Sequence, residues 1–135
     1  MNEILLSVLV SLSEEVFPRE TFKNEHGVYL HTWVLSVYDD GKGSYLHIYL
    51  ACKNGIWGSV STASGKTRGY TGPLWDGDFV HTTLDEALVS AWEEFDRVEE
   101  RFHEKPKFYE KALYFMRAFM PLSVPEKIRQ FKVRD

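Results

Sequence analysis

Ser44–Ala63 reads SYLHIYLACKNGIWGSVSTA. Its first half alternates Tyr45, His47 and Tyr49 against Leu46, Ile48 and Leu50, the period of a half-buried strand. Asn54-Gly55 is a strong hairpin signal, and Ile56–Ala63 is the returning strand. Two registers compete. A two-residue loop pairs Lys53 with Ile56 and puts Trp57 and Ser59 on the Leu50 face. A three-residue loop with Gly55 in a left-handed bulge pairs Cys52 with Ile56, and Ile56 and Val60 then join Leu46, Ile48 and Leu50. A one-residue slip exchanges the faces of every side chain, so burial argues for the bulged turn. The opposite face then collects Tyr45, His47, Tyr49, Trp57, Ser59 and Ser61. By the same logic in the preceding hairpin, Tyr29, His31 and Trp33 join them.

Working outward, Gly27–Tyr38 is rich in Val, Tyr, Trp and Thr and reads as a strand, with Asp39–Gly43 as the turn that follows it. Residues 3–17 read as a helix with Leu5, Val8, Leu9, Leu12 and Val16 on one face, closed by Pro18. Ser64–Phe79 is a Gly-rich loop. Thr83 and Glu86 form a capping box ahead of a helix whose buried stripe is Leu84, Leu88, Ala91, Phe95, Val98 and Phe102. Lys107–Met120 predicts another helix, and Ser123–Phe131 a short last one with Pro125 in its first turn. The order predicts an α+β fold: a three-stranded antiparallel meander with an N-terminal helix and two to three C-terminal helices packed on it. At 135 residues and 44% hydrophobic content, one domain over 1–135 is expected. Cys52 is the only cysteine, which points to a reducing, cytoplasmic setting without a disulfide. Acids at Glu3, Glu14 and Glu15 argue against reading the start as a signal peptide, and no membrane association is expected.

The formal net charge is −4, but the charge is sorted along the chain. Gly41–Trp75 contains Lys42, Lys53, Lys66 and Arg68 and no acid. Asp76–Glu104 carries ten acids against Arg97 and Arg101, and residues 105–135 are again basic, at +5. An ionic partner responds to such local potential rather than to net charge.

Three surfaces are candidates. The first is the acidic helix face formed by Asp85, Glu86, Glu93, Asp96, Glu99 and Glu100, with the solvated helix face as its plain alternative. The second is an anion or nucleic-acid site combining Lys66, Arg68 and Tyr70 of the loop with Trp57 and Tyr49 of the sheet; exposed rings stack single-stranded bases, and buried rings are core. The third is a small phosphorylated-ligand site under the 64–75 loop. Gly65-Lys66-Thr67 matches the end of a P-loop, but Val60 stands where its first glycine is required and no helix can follow through Gly69 and Pro73. No metal site or cofactor is expected. Asp76, Asp78 and His81 lack further ligands, and His31 and His47 are out of step. Cys52 is expected to point into the core. No catalytic motif occurs, and a non-enzymatic role is expected.

Tyr45–Phe95 resembles a type of small protein found in bacteriophages and mobile elements. The resemblance lies in paired strands, the Gly69-Tyr70-Thr71-Gly72-Pro73 loop, the Asp76-Gly77-Asp78-Phe79 turn and the capped acidic helix Thr83–Leu88. It implies a setting that includes small inhibitors of bacterial defence systems, anti-CRISPR proteins among them. In that setting the acidic helix is expected to occupy a basic nucleic-acid channel in a protein or protein–nucleic acid complex of the host.

Overall fold

The computed structural model describes residues 22–23, 29–30, 32–64, 69–70, 74, 76–101 and 106–134. The helix expected over 3–17, His31, Lys66 and Arg68 lie outside them.

In chain order the elements are β1 (Phe22–Lys23), β2 (Tyr29–Leu30), β3 (Thr32–Asp39), β4 (Tyr45–Lys53), β5 (Ile56–Ser64), β6 (Gly69–Tyr70), a 3-10 turn at Asp76–Asp78, β7 (Phe79–His81), α1 (Leu84–Arg101), α2 (Tyr109–Phe119), α3 (Val124–Arg129) and β8 (Lys132–Arg134). The α+β class holds. The antiparallel meander β3-β4-β5 is the centre of a larger sheet of order β6-β5-β4-β3-β8, with β7 also on β5; β1 and β2 form a separate two-stranded pair. The short strands β6, β7 and β8 are too brief to show a period of their own. They exist because β5 and β3 offer them unpaired edges.

The β4–β5 register corrects the bulged-turn expectation. Lys53 pairs with Ile56, Leu50 with Ser59 and Ile48 with Ser61. The loop is the two residues Asn54 and Gly55, with φ of 54° and 78°. Positive φ at both central positions is the type I′ turn, whose twist matches that of the strands. The register differs from that expectation for a physical reason: both faces of the sheet are covered here. Val60 packs with Tyr29, Ala51 and Leu74 in a second buried cluster. On the other face Ser59, Ser61 and Ala63 are buried and small, so α1 approaches closely. The Ser59 hydroxyl donates 2.6 Å to the Ala87 carbonyl of α1.

The main core lies between the sheet and the helices. Trp33, Leu35, Val37, Leu46, Ile48 and Leu50 meet Leu84, Leu88, Ala91 and Phe95 of α1 and Phe108, Ala112, Met116 and Phe119 of the α2 segment. The α1 residues are the first four of the six-residue stripe expected from the 3.6-residue period. Thr83 caps α1 as expected, accepting 3.1 Å from the Glu86 N–H. Glu86 returns its carboxylate to the Thr82 N–H at 3.2 Å rather than to Thr83. Ser123 caps α3 with Pro125 in the first turn. Ahead of β4, the chain reverses where Asp39 accepts from the Gly41 N–H at 2.8 Å and Asp40 accepts from the Lys42 N–H at 2.7 Å. Such side-chain caps are why aspartates dominate tight turns.

Candidate functional site

α1 and α2 lie side by side on one face of the sheet. α1 sits over β5, through Ser59 and Ala87. α2 sits over β3, where Phe108 stacks on Tyr38 at 4.6 Å. The two helices run in opposite directions. The Tyr109 hydroxyl at the start of α2 donates 2.7 Å to Asp96 in the second half of α1. In α3, beyond the end of α2, the Lys127 ammonium donates 2.6 Å to Asp85 at the start of α1. Buried residues of α1 recur at 84, 87, 88, 91 and 95, so the outward ridge runs through Glu86, Val89, Glu93 and Arg97, all exposed.

The acidic face therefore divides. Asp85 is engaged by Lys127, Asp96 by Tyr109 and Glu86 by Thr82. These three carboxylates hold the helix ends and the helix–helix junction. Glu93 stands in the exposed ridge. Glu99 and Glu100 belong to α1, with side chains outside the described set. Val89 is 45% exposed between Glu86 and Glu93. Position in the helical wheel separated this apolar residue from the stripe, and it drew no notice in the sequence.

A seventh acid of the region, Glu94, lies outside the expected acidic face. It is half-buried on the flank of α1, above the stretch of β5 between the parts paired with β7 and β6. Burial pushes its carboxyl above the usual carboxylate range, and Asp78 adds to the shift. Hydrogen bonds from the Ser61 hydroxyl and N–H, and the charge of Arg97, oppose it. A raised native pKa favours the protonated fold, so this contribution is full below the ordinary glutamate value and fades as pH rises through the raised one. Glu94→Gln, which mimics the protonated form, is expected to raise the melting temperature at neutral pH. It should also flatten the loss of stability as pH rises above the ordinary glutamate value. Thermal unfolding over a series of pH values tests this, and a variant less stable than wild type at pH 7 contradicts it.

The aromatic sheet face is split. Trp33 pairs with Leu50 and Trp57 with Cys52, both toward α1 and α2. Trp33 is buried there and Trp57 is half-buried against the same core. Tyr49 faces the other way, beside Val60 and near Tyr29. The expected platform of Tyr29, Trp33, Tyr45, Tyr49 and Trp57 is thus not one surface. Tyr29 is itself buried, its ring tilted against Phe79 at 4.8 Å with the Lys53 ammonium 5.5 Å from its ring. That placement follows from Gly58, where a methyl group would meet the Phe79 ring at 3.1 Å. Tyr70 belongs to β6 and pairs with Ala63.

Among the polar candidates, His47 stacks on Tyr45 at 4.8 Å and approaches Asp39 at 3.2 Å through Nε2. The Gly41 N–H, with His47 assisting, holds the Asp39 carboxyl below its usual range. Cys52, expected in the core, is only half-buried near the hairpin turn. Among the described residues, no three His, Cys, Asp or Glu are grouped to hold a metal ion, and no helix is long and apolar enough to cross a membrane.

The outer face of α2 lies apart from the three surfaces expected from the sequence. Lys107 just before the helix, and Glu110, Lys111, Tyr114 and Arg117 within it, are all exposed, Tyr114 by 78%. The spacing of 107, 111 and 114, opposite buried Ala112, Met116 and Phe119, was the available signal. No protein-family model matches this chain, and comparison with curated proteins and with solved structures finds no match.

Proposed function

We propose that this chain is a non-enzymatic binding protein that acts on a macromolecular partner through the outer ridge of α1. The observation that carries the reading is Val89, 45% exposed between Glu86 and Glu93 on the outward ridge of a helix that commits Asp85 and Asp96 to internal contacts. An apolar contact flanked by carboxylates suits a partner surface that is basic around an apolar centre. The resemblance to small proteins of phages and mobile elements supplies a setting for such a ridge. There the chain, in the host cytoplasm, enters a Lys/Arg-lined channel of a nucleic-acid-handling complex and excludes the nucleic acid by charge and volume.

The test is binding by wild type and by Val89→Lys/Glu93→Lys, after circular dichroism shows that the variant is folded. A host protein should be captured by dilute wild type and lost from the variant. Equal capture by both overturns the assignment to this ridge. Single-stranded nucleic-acid binding through a sheet platform loses support, because Trp57 and Tyr49 lie on opposite faces.

A further inference from the structure

The acidic ridge of α1 and the basic face of α2 are neighbours in one helical layer. A broad polyanion laid across the layer meets the carboxylates of α1, and a broad, uniformly basic surface laid across it meets Lys111 and Arg117. The surface that complements both at once carries the same two stripes in exchanged order. A second copy of this chain, turned about a two-fold axis along the helix pair, presents that surface.

The register can be followed from contacts within one copy. Tyr109 stands level with Asp96, and the helices run in opposite directions. The eleven residues of α2 span about 16 Å, the same rise as from Asp96 back to Asp85. A two-fold axis parallel to the helices keeps each height and sets α1 of one copy over α2 of the other. Within about a turn, Glu93 then stands at Lys111, Glu86 at Arg117 and Arg97 at Glu110. Val89 falls at Tyr114, the most exposed of the large hydrophobic side chains among the described residues. Each of these exposed charges meets its opposite, and Val89 and Tyr114, two of the four exposed large hydrophobic residues among the described ones, meet one another. The operation repeats each contact twice, as a closed symmetric interface requires.

We infer that the α1–α2 layer is a self-association surface, on which two copies dimerise by exchanging acidic and basic helix faces. The inference rests on the same ridge as the function proposed above but not on that reading's partner; the second copy and the partner compete for the ridge, and the partner takes the monomer.

Sedimentation velocity tests it on the full chain. Wild type is expected to be dimeric at about 50 mM salt and to dissociate toward monomer near 0.5 M, where screening is strong. Glu93→Lys and Lys111→Glu, each folded by circular dichroism, should each be at least tenfold weaker in self-association. The double variant Glu93→Lys/Lys111→Glu should recover it, because the swap restores both pairs. Tyr114→Ala should weaken the dimer without altering its salt dependence. A wild type that stays monomeric at every concentration overturns the inference, as do single reversals that leave the dimer unchanged or a double variant that does not recover. A monomer that binds single-stranded DNA through Lys111 and Arg117 also overturns it and assigns α2 to a polyanion. The double variant separates the two readings: recovered self-association with lost capture of a host protein supports both. Recovered self-association with capture retained by every variant rejects only the partner ridge.

Discussion

Asp85→Ala is expected to cost about 3 kcal/mol of folding stability, whereas Lys127→Met costs far less. The asymmetry comes from where each half of the pair sits. The Lys127 side chain is 2% exposed and that of Asp85 53%. Deleting the carboxylate strands an ammonium that water does not reach. The figure is taken from the low end for buried pairs because Asp85 itself is half in solvent. Deleting the charge of Lys127 while keeping its apolar stem returns Asp85 to water and leaves the packing of α3 in place. Urea unfolding of the two variants measures both numbers. Equal losses would mean that the lysine stem, not its charge, is what α3 contributes.

Phe95→Ala is expected to cost about 4 kcal/mol, and Phe95→Leu about 1.5. Phe95 is fully buried and is the largest side chain in that state among the described residues. Its ring lies 5.3 Å from Trp92, 6.2 Å from Phe108 and 6.1 Å from Tyr109. These rings join α1 to α2, so a cavity here loosens the junction that Asp96 and Tyr109 close. The α1–α2 layer proposed for self-association should weaken in parallel. Chemical unfolding with an unchanged denaturant slope is the measurement, and a loss under about 1 kcal/mol would place the true core elsewhere.

The candidate site was legible unevenly. Asp85, Glu86, Glu93 and Asp96 were visible as one charged face because a helix shows its polar positions by spacing. Their division into structural and exposed acids was not visible. Lys127 is 42 residues from Asp85, and Tyr109 is 13 from Asp96. A lysine in a basic C-terminal block reads as a solvated charge, yet Lys127 is 1% exposed. Glu94 was hidden for the same reason: its partner, Ser61, lies on a strand far away in sequence. Tyr114 and Val89 were overlooked because a single apolar residue on a polar face carries little signal until its exposure is known.

By itself the sequence determined the local elements: the hairpin at Asn54-Gly55, the capped helix after Thr83 with its stripe through Phe95, the short capped helix after Ser123, and the α+β class. Each is written within a few turns of chain, where spacing and capping chemistry act directly. Only the tertiary structure decided the β4–β5 register, the pairing of β6, β7 and β8, and which carboxylates remain at the surface. Hydrophobic period ranks two registers when one sheet face is buried and the other is wet. Here Val60 finds Tyr29 and Leu74 on one side while Ser61 and Ala63 let α1 settle on the other. With both faces covered, large and small side chains are sorted by how closely a helix approaches, and that distance is a property of the assembled fold.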